Sequence, residues 1–439
     1  MDTLLRGGTL VTCDADDHVM AADVLVRGSA IGAVGKVQPD GAVRVLDVTG
    51  CAVVPGFIQA HVHLCQTLMR GLADELPLLE WLRMRIWPLE AAHDERSLAA
   101  SARLGLAEAM LAGTTTVLDM GTVHDHEVVM DACARSGIRA RSGKTMMDTG
   151  EGVPARLRET TRASLTGAER LAHDWRGAAS GRIGYAWSPR FVLSCTERLV
   201  RGAVERARQH GELLSTHAAE HASERAAVRR AFGEDDVAVL RRWGLSGPRA
   251  VLAHGVQLRD SEARALARDG TRVVHCPSAN LKLGSGIARV ADLDRLGVAL
   301  ALGADGAPCN NNLDPWTELR HAALLAKVRT DVTALPARRA LRLATIDGAR
   351  ALGLDAITGS IEPGKRADLM VVELGGAHVE PGGDVFSKLV YACRATDVRH
   401  VLVDGALVVK NREHQTIDVE SVTAEARVQV RKLRARASI

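Results

Sequence analysis

Aromatic residues are scarce in this chain: six Trp, four Phe and two Tyr among 439 residues, 3% in all. Any large core must therefore be built from Leu, Val, Ala and Ile. An excess of charge of either sign is also missing. Lys and Arg number 56 and Asp and Glu 53, a formal charge of +3. That argues against a nucleic-acid partner, because neutralising phosphates calls for a basic face. No run of 18 apolar residues occurs, so no membrane span is expected. The opening Met1-Asp-Thr-Leu-Leu-Arg-Gly-Gly lacks the apolar stretch and small-residue cleavage site of an export signal. The eight cysteines (Cys13, Cys51, Cys65, Cys133, Cys195, Cys276, Cys309, Cys393) include no two within four residues of each other. That spacing excludes a CxxC redox motif and a Cys-rich zinc module. Free buried thiols in a reducing cytoplasm are the expectation.

What is present reads as an ordinary globular protein, 46% hydrophobic and 25% charged. Its length permits a large core. Both ends have the texture of short strands. Leu4–Thr12, Ala22–Gly35 and Val43–Val54 open the chain, with apolar alternation in Asp23-Val-Leu-Val-Arg. Ala367-Asp-Leu-Met-Val-Val and Val398-Arg-His-Val-Leu-Val-Asp-Gly-Ala-Leu-Val-Val close it, with Asp404-Gly405 as a hairpin turn. Neither end has enough strands for a sandwich of its own. They are expected to pair into one small β-sandwich domain, residues 1–55 with 362–439, the latter ending in a helical tail.

The middle, residues 56–361, alternates short apolar segments with helical stretches. The segments are Val53–His63, Thr115–Met120, Arg139–Met147, Arg182–Pro189, Leu213–Glu220, Ala250–Val256, Arg272–Pro277 and Ala299–Asp305. Eight β segments with helical crossovers predict an α/β fold, a (β/α)8 barrel of the TIM type. In such a barrel the chemistry sits at the C-terminal ends of the strands. The able residues fall there: His61-Val-His63 on the first, Thr216-His217-Ala-Ala-Glu220 on the fifth, His254 on the sixth, Asp305 on the eighth. An HxH pair alone says little, since His124-Asp-His126 is a second one, expected in a solvated helix cap. His61 and His63 instead lie in a strand, where alternate side chains share a face. Two imidazoles near a third and a carboxylate form an N₃O set suited to Zn²⁺.

Taken together, these motifs resemble the amidohydrolase superfamily, specifically its cyclic deaminase branch. The matching stretches are Pro55-Gly-Phe-Ile-Gln-Ala-His61-Val-His63, Ala112-Gly-Thr-Thr-Thr-Val, His217-Ala-Ala-Glu220, Ala253-His254, Ser278-Ala-Asn-Leu-Lys-Leu-Gly-Ser-Gly286, Leu302-Gly-Ala-Asp305-Gly306 and Gly359-Ser-Ile-Glu-Pro-Gly-Lys-Arg-Ala-Asp368-Leu. The resemblance implies that His61, His63, His217 and Asp305 hold one Zn²⁺ per subunit, with Fe²⁺ or another divalent ion as alternatives. Binuclear relatives add a carboxylated lysine on the fourth strand. Here that strand reads Arg182-Ile-Gly-Tyr-Ala-Trp-Ser-Pro, without Lys, and Lys144 on the third is expected to be structural. The resemblance also implies Asp305 as the base, Glu220 as the acid that protonates the ring nitrogen, and His254 as the group that polarises the attack.

The implied reaction is hydrolytic removal of ammonia from an aminated heterocycle. A 5′-modified adenosine such as S-adenosylhomocysteine, methylthioadenosine or 5′-deoxyadenosine is the first expectation. A guanine-, 8-oxoguanine- or pterin-type base is the alternative, followed by an s-triazine hydrolase. A catalytically silent structural homologue is the non-enzyme alternative. Trp81-Leu-Arg-Met-Arg-Ile-Trp87-Pro-Leu-Glu90 resembles a segment whose glutamate binds ribose hydroxyls, and Ser188-Pro-Arg190-Phe191 resembles one whose arginine and phenylalanine hold a purine. Glu90, Trp87, Trp187, Arg190 and Phe191 are therefore expected at the substrate, together with Glu220 and His254. The expected partner is this small molecule alone, and a cytoplasmic homo-oligomer is implied.

Overall fold

The computed structural model describes residues 2–439. Five strands open the chain: β1 (Thr3–Val11), β2 (Val19–Arg27), β3 (Ala30–Gly35), β4 (Arg44–Asp47) and β5 (Cys51–Pro55). The middle carries β6 (Phe57–Val62), β7 (Thr114–Met120), β8 (Arg139–Gly143), β9 (Thr145–Met146), β10 (Ile183–Pro189), β11 (Leu213–Ala218), β12 (Ala250–His254), β13 (Arg272–His275) and β14 (Ala299–Leu302). β15 (Leu369–Glu373), β16 (Val398–Val403), β17 (Ala406–Lys410) and β18 (Glu413–His414) follow, and helix Val419–Ala437 ends the chain.

The middle strands run parallel in the order β14-β13-β12-β11-β10-β8-β7-β6, with β9 on β10. A bridge from Val62 to Asp305 and the bond from Asp305 N–H to the His61 carbonyl, 3.1 Å, bring the last strand onto the first. The result is the expected (β/α)8 barrel. Its strands are nearly continuous apolar runs because helices cover them outside and side chains fill them inside; β6, β7 and β12 are buried at every residue. Two glycines serve close backbone approach. A Cβ at Gly56 would lie 2.0 Å from Thr115 Cγ2, and one at Gly303 2.7 Å from the His61 carbonyl oxygen, so neither barrel contact tolerates a side chain.

The predicted first segment, Val53–His63, divides at Pro55-Gly56. β5 belongs to the terminal sheet and β6 to the barrel. The third segment likewise breaks at Lys144, whose Nζ pairs with both Glu159 oxygens at 2.7 and 2.6 Å. The two ends of the chain join in one nine-stranded mixed sheet, β18-β17-β16-β15-β5-β1-β2-β3, with β4 on β1. β5 is the seam: it runs parallel to β1 and antiparallel to β15. This sheet encloses its own core of Leu5, Val24, Ile31, Val53, Val371 and Leu402, among others. A buried ion pair couples it to the barrel. Arg139, at the start of β8, reaches Asp368 at 2.8 and 3.1 Å and Asp404 at 3.2 Å.

The segment after β6 positions the site's outer wall. Residues 78–91 form one helical run, with a π-type turn at Leu82–Ile86 between helices Leu78–Trp81 and Trp87–Ala91. Pro88 lacks the N–H that a regular turn would direct to Met84, and the local widening follows from that. All eight cysteines are free and buried. No helix among the described residues is long and apolar enough to cross a membrane.

Candidate active site

Four strand ends converge at the barrel mouth. β6 delivers His61 and His63, whose rings meet edge to face with centroids 4.8 Å apart. β11 delivers His217, β12 delivers His254, and the turn after β14 delivers Asp305. Two of these residues sit in the left-handed region of the backbone, His254 with φ 80° and Asp305 with φ 63°. Non-glycine residues adopt that conformation at a cost, and such strain gathers at functional sites.

Hydrogen bonds set the direction of each imidazole. His63 Nδ1 lies 2.7 Å from the Met120 carbonyl and His217 Nδ1 2.8 Å from the Arg190 carbonyl. A carbonyl only accepts, so each Nδ1 carries the proton and each Nε2 presents a lone pair. Those two Nε2 atoms face each other at 3.2 Å. His61 and His63 each place Nε2 3.4 Å from Asp305 Oδ1. Both ring nitrogens of His61, and Nε2 of His254, are buried with no hydrogen-bond partner among the described residues. Converging lone pairs beside a carboxylate fit a divalent cation, which would engage one nitrogen of each ring.

The set differs in one member from the expected quartet. Ligand atoms of His61, His217, His254 and Asp305 all lie within 4.8 Å of one another. His63 stands beside them through its contacts to His217 and Asp305, so five donors converge rather than four. His254 is oriented by Asn280, whose Oδ1 accepts its Nδ1–H at 2.9 Å. Its Nε2 is then 3.5 Å from Glu220 Oε2 and 3.9 Å from Asp305 Oδ2.

Burial keeps His63, His217 and His254 neutral. Burial, reinforced by His61, lowers His63 to about 3; burial lowers His254 to about 4 and His217 well below its ordinary value. Asp305 moves the opposite way from an ordinary buried acid. Burial favours its protonation, but the close approach of His61, with Nε2 3.4 Å from Oδ1, together with His254 and His63, outweighs this and holds it well below the usual carboxylate range. Glu220 is raised well above its ordinary value by burial, with Glu224 and Asp305 adding to the effect. One carboxylate is thus held ionised and its neighbour is disposed to keep a proton, the division that acid–base catalysis uses.

A pocket of about 370 Å³ opens onto these groups. His63, His217, Glu220, His254 and Asp305 form its floor, and Gln66, Leu78, Trp81, Leu82, Arg190 and Phe191 its walls. The amidohydrolase pattern matches residues 52–408, most of the chain. The chain belongs to the amidohydrolase family. It is 36% identical to a 5-methylthioadenosine/S-adenosylhomocysteine deaminase of Haloquadratum walsbyi, over 98% of each chain. It is 36% identical to a 5′-deoxyadenosine deaminase of Methanosarcina acetivorans, over 100% of this chain and 99% of that one. Among solved structures, a zinc-bound adenosine deaminase from Xanthomonas campestris is 34% identical and superposes with a TM-score of 0.93, covering 99% of both chains.

Within this amidohydrolase, the expected substrate residues are placed unevenly. Arg190 and Phe191 line the pocket. Glu90 does not: it is buried behind Arg190, with Oε2 accepting from Nη1 at 2.5 Å and Oε1 from Nη2 at 3.2 Å. Gln66 Nε2 donates to the same Oε1 at 2.8 Å. Trp87 lines an adjoining outer cleft with Leu79, Arg83 and Arg230, and Phe191 borders both this cleft and the pocket. Trp187 departs from expectation entirely. Its indole is buried beside Tyr185 and donates from Nε1 to Glu212 at 2.8 Å. The reason is strand alternation, which turns this position outward to the helix layer. His126, expected in solvent, is buried and lies 2.9 Å from Ser142 Oγ through Nε2.

Several residues of the site carried no assignment in the sequence. Gln66 lies three positions beyond His63, and nothing in that spacing distinguishes it from packing. Asn280 lies within the Ser278–Gly286 motif, which hinted at a role without naming one. Trp81, not Trp87, supplies the indole wall, and its Nε1 is buried without a partner among the described residues. Cys309 Sγ lies 3.2 Å from Asp305 Oδ2. A thiol four residues past a carboxylate gives no sequence signal at all.

Proposed function

We propose that this amidohydrolase is a metal-dependent deaminase that removes the exocyclic amine of a purine nucleoside as ammonia, with a 5′-modified adenosine as substrate. The observation that supports it is the joint placement of Asp305, His254 and Glu220 around one point of the pocket floor, beside His61, His63 and His217. The adenosine-type names of its relatives point to the same substrate class.

His61, His63, His217 and Asp305 would hold one divalent ion, Zn²⁺ in the first instance, with His254 close enough to join them. When bound, the ion supplies Lewis acidity, which makes a water nucleophilic near neutral pH. Asp305, held ionised, takes a proton of that water through Oδ2. Glu220, which keeps its proton, donates it to the ring nitrogen next to the attacked carbon. His254, with its Nδ1–H fixed by Asn280, points Nε2 at the same centre and orients the attacking oxygen. Asp305 then passes the proton it took to the departing amine, which leaves as ammonia, and the second proton of the water returns to Glu220. Trp81 and Phe191 offer aromatic faces to the heterocycle, while Arg190 offers its remaining N–H groups to an acceptor on it.

A second reading has one specific observation in its favour. Arg190 lines the pocket and Glu90 does not, as suits a free purine base better than a ribose. Metal analysis combined with ammonia release from a panel decides between them. The panel comprises methylthioadenosine, S-adenosylhomocysteine, 5′-deoxyadenosine, adenine, guanine and an aminated triazine. A clear preference for the nucleosides is expected. A preference for guanine would establish the second reading, and no ammonia from any member of the panel would overturn both.

A further inference from the structure

Behind the pocket floor, one buried carboxylate reaches two of the site-bearing loops. Glu318 lies on helix Pro315–Arg329 and is 1% exposed. Its Oε2 accepts from the backbone N–H of Ser278 at 3.1 Å, in the first turn of helix Pro277–Lys282. Its Oε1 accepts from Asn310 Nδ2 at 2.9 Å. The same amide nitrogen donates to the carbonyl of Ala304 at 2.8 Å, and Ala304 immediately precedes Asp305. Helix Pro277–Lys282 carries Asn280, which takes the Nδ1–H of His254 at 2.9 Å. One turn further along Glu318's own helix, His321 Nδ1 stands 2.9 Å from Ser278 Oγ and fastens the same loop again.

Two lines of hydrogen bonds therefore meet at Glu318. One runs through Ser278 and Asn280 to His254, the other through Asn310 and Ala304 to Asp305. No cation pairs with Glu318 among the described residues, and burial pushes its pKa up to about 7. Such a group is costly to bury. The chemistry of its partners explains its presence: both are N–H donors, so both of its oxygens must accept. An amide of the same shape would satisfy one and set N–H against N–H at the other.

We infer that Glu318 is a positioning residue, which holds the Asn280 helix and the Ala304–Asp305 turn in register so that His254 and Asp305 face one point. The inference rests on the deaminase reading for its kinetic test alone.

The test is Glu318→Gln at pH 8, alone and combined with Asn310→Ala. Misplacing catalytic groups by about 1 Å can cost on the order of a hundredfold in rate. The single variant is expected to lose at least roughly tenfold in kcat, with KM changed less than about threefold and metal content equal to wild type. In the Asn310→Ala background the same substitution should cost clearly less, because one of its two lines is already cut. Should Glu318→Gln not fold, Asn310→Ala alone carries the same kinetic expectation through Asp305. Crystal structures of wild type and variant should show the Ala304–Asp305 turn or the Asn280 helix displaced. Wild-type kcat, or an identical loss in both backgrounds, would overturn the inference. If the wild type releases no ammonia from any amine, the deaminase reading fails. The crystal structures still decide this inference, which unmoved Asp305 and His254 would refute.

Discussion

Glu90 and Arg190, 100 residues apart in sequence, form a buried two-pronged ion pair with both side chains 4% exposed. The two had pointed to different substrates, Glu90 to a ribose and Arg190 to a bare purine. In the fold they are one unit. Burial disfavours the guanidinium charge, and Glu90 more than compensates, so Arg190 stays charged at the pocket wall. The backbone of Arg190 also serves the site, because its carbonyl fixes the tautomer of His217.

The first prediction follows from that pair. Glu90→Ala leaves Arg190 buried without its counter-charge, which typically costs about 3–5 kcal/mol. Urea unfolding should show that loss. Catalytic efficiency should fall by at least about tenfold, on a 5′-modified adenosine and on its free base alike. A loss confined to the nucleoside would mean that Glu90 reaches the ribose directly.

Metal content supplies the second prediction. The purified protein should hold about one divalent ion per chain, given a single cluster of donors among the described residues and no lysine in it. His217→Ala should lose most of the metal and the activity together. Full occupancy in that variant, measured by elemental analysis, would show the ligand set to be wrong.

The third concerns proton transfer. Glu220→Gln should keep its metal and lose at least about a hundredfold in turnover, the low end for a general acid. Metal content and kcat measured on one preparation test it. Wild-type turnover would reduce Glu220 to a carboxylate at a helix start.

The fourth uses His126, which burial lowers from 6.5 to about 3. A depressed pKa means that the folded state refuses a proton which the unfolded state accepts. Its contribution is complete above pH 6.5 and is lost as pH falls towards 3. Relative to His126→Gln, the wild type should lose about 1.4 kcal/mol of stability per pH unit between pH 6 and 4. Denaturant unfolding of both proteins across that range measures the difference. A difference independent of pH would place His126 in contact with water.

Much of this molecule is legible in its sequence because barrel strands place their chemistry at one end. His61, His63, His217, His254 and Asp305 each terminate an apolar segment, so their convergence follows once eight such segments close. The seam at β5 was less legible, because apolar residues flank Pro55-Gly56 on both sides and Val53–His63 reads as one segment. Only the strand pairing shows where one sheet stops and the other begins: β5 joins β1 and β15, and β6 joins β7.

By itself, then, the sequence determined the fold class, the strand-end histidines and acids, and through them a family and a type of chemistry. These are local properties: residue type, alternation, and position at the end of an apolar run. The tertiary structure alone decided which face each side chain occupies and which distant charges pair. It turned Trp187 outward and put Trp81 at the pocket wall. It buried His126, brought His254 as close to the centre as His63, and joined Glu90 to Arg190. Pairings across 100 residues and choices between two faces of a strand depend on register and packing. These arise only when the whole barrel closes, and no local pattern encodes them.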